Sequence, residues 1–204
     1  MSAANTTSLL GITPGFSDLA RGSQTVFRAA LDALSRPGRI QTVRSDAQLP
    51  TGAAHPAAAN VLLALLDQDC TLWLSPSLAS DPAAAYLRFH TGCRIVGVPE
   101  RAQFVWAASG AELPALDILA SGTEYEPEFG ATCLVQVDAL DDTAGWTLRG
   151  PGIRDTQRLA VQGLPSDFVA QWTACQTHFP QGVDMLLSAG DRLAGLPRTT
   201  RIED

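Results

Sequence analysis

The chain has 204 residues and a formal net charge of −7, and all fourteen of its fixed cations are arginines. The acidic balance and the lack of any basic block argue against nucleic acid as the main partner, and no apolar run approaches the roughly 20 residues that span a membrane. Without a lysine, the chain cannot form a Schiff base with pyridoxal phosphate, build a Walker A loop or act as a protein kinase.

The first half of the chain predicts three helices with clear boundary signals. Ser17 or Asp18 can cap the first helix, and Pro37 ends it, because proline disfavours helical backbone in the residue before it. Pro56 opens a second helix, which is apolar nearly all round and therefore buried. Asp81 can cap a third helix, which Pro82 opens. The expected helices are residues 18–36, 56–66 and 82–92, and the expected strands are residues 39–44, 71–74, 94–98 and 103–107.

The second half predicts further strands around two shorter helices. Residues 131–137 have the best strand pattern, and residues 146–149 are expected to pair with them across Asp141-Asp142. The other expected elements are helices near residues 114–120 and 165–178 and strands at residues 158–161 and 183–188. Since helices and strands interleave without a break in composition, we predict one α/β domain over residues 1–204, with a mixed β-sheet flanked by helices. Residues 1–13 and 202–204 are expected to be loosely ordered tails.

The cysteines and histidines occur singly along the chain. They are Cys70, Cys93, Cys133, Cys175, His55, His90 and His178. No C-x-x-C pair occurs, so we expect no metal site and interpret the cysteines as small buried apolar residues kept reduced. The start of the chain lacks a basic region followed by an apolar core, which predicts a cytoplasmic protein.

Two short segments carry groups that suit chemistry, and each also has an ordinary structural interpretation. Glu124, Glu126 and Glu128 would share one face of a strand, as a divalent metal or an acid/base pair requires, but the intervening proline favours a solvated loop. Arg88 and His90 could clamp an anion and transfer a proton, or could simply offset the dipole at the end of their helix. We favour the structural interpretation for both segments.

Two further segments suit anions less clearly. The segment Gly150–Ile153 lacks the spacing of a phosphate-binding glycine loop and is predicted to be a turn. Thr199-Thr200 could bind an anion or dock the end of the chain. No G-x-S-x-G elbow is present, and the residues alone do not assign a reaction.

Six short motifs follow one another in a distinctive order. They are Ala33–Gly38, Leu87–Thr91, Ser121–Thr123 with Pro127–Thr132, Gly150–Ile153, Phe179–Asp184 and Gly195–Thr200. Each motif is weak alone, but their order resembles the PhnH family, a subunit of the bacterial carbon–phosphorus lyase core complex. The resemblance covers about residues 14–202.

The resemblance implies a fold like that of pyridoxal-phosphate-dependent transferases, without the cofactor. It implies a homodimer in isolation and assembly with the PhnG, PhnI and PhnJ subunits. That complex forms ribose 1-phosphonate 5-triphosphate from ATP and a phosphonate during organic phosphonate catabolism, and PhnJ then cleaves the carbon–phosphorus bond through an iron–sulfur cluster. The chain is therefore implied to be an accessory subunit that carries neither pyridoxal phosphate nor the cluster.

The resemblance supplies no catalytic residue, but five polar residues lie in its motifs. They are Arg36, Arg88, His90, Arg198 and Thr199. We treat them as candidates for contact with a nucleotide or phosphonate, since arginine suits bidentate phosphate binding, or for subunit docking. Pairing with carboxylates of this acidic chain and helix capping are equal alternatives. A GC-rich genome explains the exclusive use of arginine without any functional reason.

Two functional hypotheses follow. In the first, the chain is an interaction subunit that docks through aromatic anchors, for which we select Phe16, Phe129, Trp146 and Phe179. In the second, it is a dimer with a degenerate transferase-like site that binds a nucleotide or phosphonate in a cleft lined by Arg88 and Arg198.

Overall fold

The computed structural model describes residues 12–52 and 54–203. The helices in this part of the chain are α1 (Leu19–Ser35), α2 (Pro56–Leu65), α3 (Pro76–Ala79), α4 (Pro82–Thr91) and α5 (Phe168–Gln176). The strands are β1 (Ile40–Thr42), β2 (Thr71–Leu74), β3 (Arg94–Ile95), β4 (Phe104–Ala107), β5 (Thr132–Gln136), β6 (Ala139–Arg149), β7 (Gln157–Gln162), β8 (Asp184–Ala189), β9 (Arg192–Leu196) and β10 (Arg201–Glu203). No helix among these residues is long and apolar enough to cross a membrane.

The predicted helix boundaries depend on capping residues that the structure confirms. The Asp18 carboxylate accepts the Arg21 amide at 3.0 Å at the start of α1, and the Asp81 carboxylate accepts the Ala83 amide at 2.8 Å at the start of α4. Gly92 ends α4 in the left-handed conformation, with φ 72°. The helix expected near residues 114–120 is only a short 3₁₀ turn at Leu116–Ile118.

A mixed seven-stranded sheet forms the centre of the α/β fold, in the order β1-β9-β8-β5-β4-β2-β3. The five strands from β8 to β3 are parallel, whereas β9 and β1 join the sheet as antiparallel neighbours. The predicted mixed sheet with flanking helices is therefore confirmed. The hairpin from β8 to β9 turns at Gly190-Asp191, and β9 was not among the expected strands.

The predicted pairing of residues 146–149 with residues 131–137 is wrong. β5 lies between β4 and β8 at the centre of the large sheet. β6 continues as one strand through Asp141-Asp142, with a register shift between Asp141 and Trp146, and pairs with β7 and β10 in a separate three-stranded antiparallel sheet. The burial explains the difference, because Cys133, Leu134 and Val135 are all fully buried, as a strand covered on both faces requires. β6 is mostly accessible and suits the small outer sheet.

The two faces of the large sheet support two apolar cores. Trp106, Leu134 and Leu186 pack with residues of α1, α2 and α4. The alternate residues of the same strands, such as Val105 and Cys133, pack with α5 and the small sheet. Both cores are thus built from one set of strands.

The ends of the described chain are attached to the fold. Ile202 and Glu203, which were expected in a loose tail, pair with β6 as part of β10, and Asp204 lies outside the described residues. At the other end, His90 Nε2–H donates to the Thr13 carbonyl at 3.0 Å. The remainder of the expected first tail, residues 1–11, also lies outside the described residues.

Helix α1 packs on β9 through a glycine. A Cβ atom on Gly195 would lie 2.5 Å from the Ala33 carbonyl oxygen, which is too close for any non-bonded contact. The backbone of α1 therefore approaches the strand as nearly as the absence of a side chain allows. Residues 33–38 and 195–200, two of the sequence motifs, are brought together by this contact.

We expect Gly195→Ala to destabilise the protein, because the added methyl group must displace the backbone of α1. The expected loss in the free energy of unfolding is about 1–3 kcal/mol, the usual cost of overpacking. Urea denaturation followed by circular dichroism measures it. Gly97→Ala is the matched control, since nothing lies within 4 Å of the corresponding Cβ position, and equal stability of the two variants would contradict the packing argument.

Candidate functional site

Arg198 and Asp184 form an ion pair between the segment after β9 and the first residue of β8. Arg198 Nη2 donates to Asp184 Oδ2 at 2.6 Å, and Nε lies 3.2 Å from both carboxylate oxygens. The Arg198 backbone amide also donates to Oδ1 at 2.8 Å. The two side chains are only 14% and 25% exposed, so the pair is largely removed from water.

The same guanidinium holds two loops in place. Arg198 Nη1 donates to the Pro127 carbonyl at 2.6 Å and approaches the Pro180 carbonyl at 3.4 Å. The loops meet at Gly130, where a Cβ atom would lie 2.1 Å from the Gly182 carbonyl oxygen and 2.8 Å from Arg198 Nη1. Only glycine allows this approach of the two loops to the arginine.

The remaining turn motif joins the same region. A Cβ atom on Gly150 would lie 2.7 Å from the Thr199 carbonyl oxygen, and one on Gly152 would lie 2.1 Å from the Ser35 carbonyl oxygen. Five of the six sequence motifs therefore form one connected region, which we call the motif junction. It consists of residues 33–38, 121–132, 150–153, 179–184 and 195–200.

Two exposed phenylalanines project from the loops that Arg198 holds. Phe129 is 53% exposed and Phe179 is 63% exposed. An open pocket of about 240 Å³ lies beside Phe179, and its lining includes Pro151, Arg198, Thr199 and Arg201. The other two proposed anchors are partly buried: Phe16 packs against the α1–α2–α4 core, and Trp146 stacks on Phe168.

The sixth motif, residues 87–91, lies on α4 and contacts the first described residues instead. Besides the bond from His90 to Thr13, the Tyr86 hydroxyl donates to the Pro14 carbonyl at 3.2 Å. The Tyr86 ring lies against the His90 imidazole, with centroids 4.4 Å apart. His90 is thus held by α4 and residues 13–15 and is not brought near Arg198.

Arg88 lines a different pocket, of about 410 Å³, together with Arg94 and the intervening Gly92-Cys93. Arg94 Nη2 approaches the Asp69 carbonyl at 3.4 Å, and among the described residues neither arginine belongs to an ion pair. Two exposed guanidinium groups at one pocket suit an anion. Arg36, by contrast, pairs with Asp32 at 3.2 Å within the last turn of α1.

The largest of these cavities, about 530 Å³, lies along α5 and was not foreseen from the sequence. Its lining includes Asp117, Asp167, Cys175 and His178, from three separate segments. Burial, and to a lesser degree the nearby Asp117 carboxylate, raises the pKa of the Cys175 thiol. That thiol is therefore protonated near neutral pH and suits a packing role better than a nucleophilic one.

The acidic segment around Glu126 is the solvated loop that its proline indicated. Glu124, Glu126 and Glu128 are all exposed, and Pro127–Phe129 form a short 3₁₀ turn. Among the described residues, no group of three or more histidine, cysteine or acidic side chains could hold a metal ion.

We expect Arg198→Ala to destabilise the protein strongly, because it removes the guanidinium donors of the Asp184 carboxylate and of two loop carbonyls and leaves that carboxylate the backbone amide of residue 198 in place of a charged partner. The expected loss is about 2–4 kcal/mol, near the lower end for buried ion pairs since Asp184 keeps some contact with water. Arg201→Ala, at an exposed arginine nearby, is the control, with an expected change within about 0.5 kcal/mol. Thermal and urea unfolding measure both changes.

A double-mutant cycle with Asp184→Asn tests whether the two residues act as a pair. The losses of Arg198→Ala and Asp184→Asn should add to clearly more than the loss of the double variant, because each single change already breaks the same interaction. Strict additivity would show that the ion pair does not couple the two strands.

Comparison with known proteins places these observations in a family. A family model described as "Bacterial phosphonate metabolism protein (PhnH)" matches residues 14–203. A Rhizobium meliloti (strain 1021) protein named "Alpha-D-ribose 1-methylphosphonate 5-triphosphate synthase subunit PhnH" is 36% identical over 188 residues, which is 92% of this chain and 94% of the relative. The Stutzerimonas stutzeri "Putative C-P lyase subunit protein HtxG" is 36% identical over 88% of this chain and 85% of its own length. The chain therefore belongs to the PhnH family.

Proposed function

We propose that the protein is an accessory subunit of a carbon–phosphorus lyase core complex, required for forming ribose 1-phosphonate 5-triphosphate from ATP and a phosphonate. The observation that carries the proposal is nearly full-length similarity to two proteins, each named as a subunit. The motif junction supplies the structural support, since it contains five of the six motifs and presents Phe129 and Phe179 to the exterior.

The use of Arg198 favours docking over ligand binding at the junction. Its guanidinium already donates to the Asp184 carboxylate and to two carbonyls. A phosphate in bidentate contact with that guanidinium would have to displace part of a largely buried ion pair, which is costly. The arginine therefore acts as a brace that fixes the loops bearing the two phenylalanines, and Thr199 lies at the rim of the same surface.

The partners in this proposal are the PhnG, PhnI and PhnJ subunits, and the isolated chain forms a homodimer in the cytoplasm. In the proposed assembly this chain holds neither pyridoxal phosphate nor an iron–sulfur cluster, and its α/β fold is a relative of the pyridoxal-phosphate-dependent transferases. The absence of lysine supports the proposal that the chain holds no pyridoxal phosphate, because the Schiff base of pyridoxal phosphate requires a lysine amine.

The docking role is tested by co-expression with PhnG, PhnI and PhnJ from the same source, followed by size-exclusion chromatography with light scattering. We expect a stable complex whose methylphosphonate-ribosylating activity is lost when this chain is left out. The double variant Phe129→Ala/Phe179→Ala should weaken assembly at least about tenfold, because aromatic anchors carry most of the energy at such interfaces.

Phe27→Ala is the matched control, since Phe27 is also an exposed phenylalanine, 46% exposed, but lies on the outer surface of α1. It should leave assembly unchanged. Normal assembly of the double variant would show that the partner subunits do not dock at the motif junction. A failure of the wild-type chain to assemble, with activity unaffected by its omission, would overturn the proposed function itself.

A second candidate function is nucleotide or phosphonate binding at the pocket lined by Arg88 and Arg94. The observation that favours it is the pairing of two exposed arginines at one cavity, with His90 held on the same helix. Bidentate guanidinium contacts to phosphate oxygens are the expected mode of recognition.

We expect isothermal calorimetry with ATP to detect binding to the isolated chain, and Arg88→Ala to weaken it at least about tenfold through loss of a charge-assisted contact. Arg21→Ala, which removes an exposed arginine from α1, should bind as the wild type does. No heat with ATP or with methylphosphonate would exclude this function for the isolated chain.

A further inference from the structure

The cavity along α5 is an open groove with walls from three segments. α5 forms one wall through Gln171, Ala174 and Cys175, and residues 115–121 and 178–183 form the others. Its volume of about 530 Å³ is large enough for several side chains or for a small ligand. Neither proposed function uses it.

The charge of the groove disfavours a polyanion. Asp117 and Asp167 belong to different walls and are both exposed, and among the described residues no arginine lines the cavity. Gln171 joins the two walls, because its Nε2 donates to Asp167 at 2.9 Å while its Oε1 accepts the Leu116 amide at 2.9 Å. A phosphate or phosphonate would meet two carboxylates and no arginine here, so the groove favours a positively charged group instead.

The floor of the groove is apolar. Leu116 and Val183 are buried, and Cys175 is partly buried with a protonated thiol. Ile118, the residue after Asp117 in the chain, leaves 43% of its surface exposed. The groove thus combines an apolar base with carboxylates at the rim, which fits a cationic side chain whose aliphatic stem can lie along the base.

The shape of the groove indicates a chain segment and not an enclosed small molecule. Asp117, Ala174 and His178 are all exposed, so the groove covers one side of its occupant only, whereas sites for small ligands bury most of the ligand surface. The groove is also continuous with the motif junction. Phe179 follows His178 directly, and Gly182 lines the groove while it contacts the loop at Gly130.

We infer that the groove along α5 receives a segment of a partner subunit that carries an arginine or lysine between apolar residues. This inference rests on the proposed function. It specifies which type of partner residue binds in the groove beside the motif junction. The cationic group lies between Asp117 and Asp167, and the flanking apolar residues lie along the apolar base and cover the exposed part of Ile118.

Alkylation of cysteine with iodoacetamide, read by peptide mass spectrometry, tests whether the groove is occupied in the complex. Cys175 reports on the groove, and Cys70, a partly buried cysteine remote from α5, is the internal reference. We expect the rate at Cys175 to fall at least about tenfold when the chain is assembled with PhnG, PhnI and PhnJ, with no change at Cys70. Ala174→Cys in a Cys175→Ser background provides a more exposed second reporter on the same wall.

Charge reversal tests the chemistry of the occupant. Asp117→Arg should weaken assembly at low salt at least about tenfold, and Asp117→Asn should weaken it less, because only the former adds repulsion. Glu100→Arg, at an exposed carboxylate in a different segment, is the matched control and should assemble normally.

The outcomes separate this inference from the function on which it rests. A complex that assembles while both groove reporters react as fast as in the free chain would overturn the inference and leave the docking function intact. If assembly protects the groove reporters from alkylation but Asp117→Arg still assembles normally, the inference that the bound segment carries a positive charge is wrong. Protection of the free chain by millimolar spermidine, with none on assembly, would assign the groove to a small amine and also overturn the inference. Failure to assemble at all would overturn both proposals.

Discussion

The ion pair between Arg198 and Asp184 is the constraint on which the arrangement of the loops depends. The register of the β8–β9 hairpin, in which Met185 faces Leu196, places Asp184 beside Pro197 and brings the next residue, Arg198, within reach. Because the pair is largely buried, the Nη1 hydrogens also need acceptors, and loop carbonyls at Pro127 and Pro180 supply them. One hairpin register thereby positions two loops that are distant in sequence.

The proposed docking surface at the motif junction and the proposed anion site at Arg88 and Arg94 lie in different parts of the fold. The junction surrounds the start of β8 and the end of β9, whereas the pocket of Arg88 and Arg94 lies at β3, four strands from β8 in the sheet order. At the usual spacing of neighbouring strands, that separation is roughly 19 Å. A chain that docks at one region and binds an anion at the other can do both at once, so the two candidate functions do not compete for the same residues.

Local signals in the sequence predicted the helices well and the site poorly. Caps such as Asp18 and Asp81 determine helix ends through contacts a few residues apart, so they can be identified from the sequence. The partner of β5 depends on which faces are buried, which the alternation of its own residues does not reveal. Arg198 was singled out, but its partner Asp184 lies 14 residues away and is recognisable only once the hairpin is known. The α5 groove could not be predicted from the sequence, because three segments that are separate in the chain form its lining.

At position 198 the structure requires an arginine, because a lysine could not make the same contacts. At exposed positions such as Arg21 and Arg201, a lysine would serve equally well. Arg198 uses three nitrogens in fixed directions, toward a carboxylate on one side and two carbonyls on the other. A lysine ammonium has its three donors on one atom and cannot span these acceptors. The composition that removes lysine chemistry from the chain therefore also supplies the one side chain that can brace the proposed docking surface.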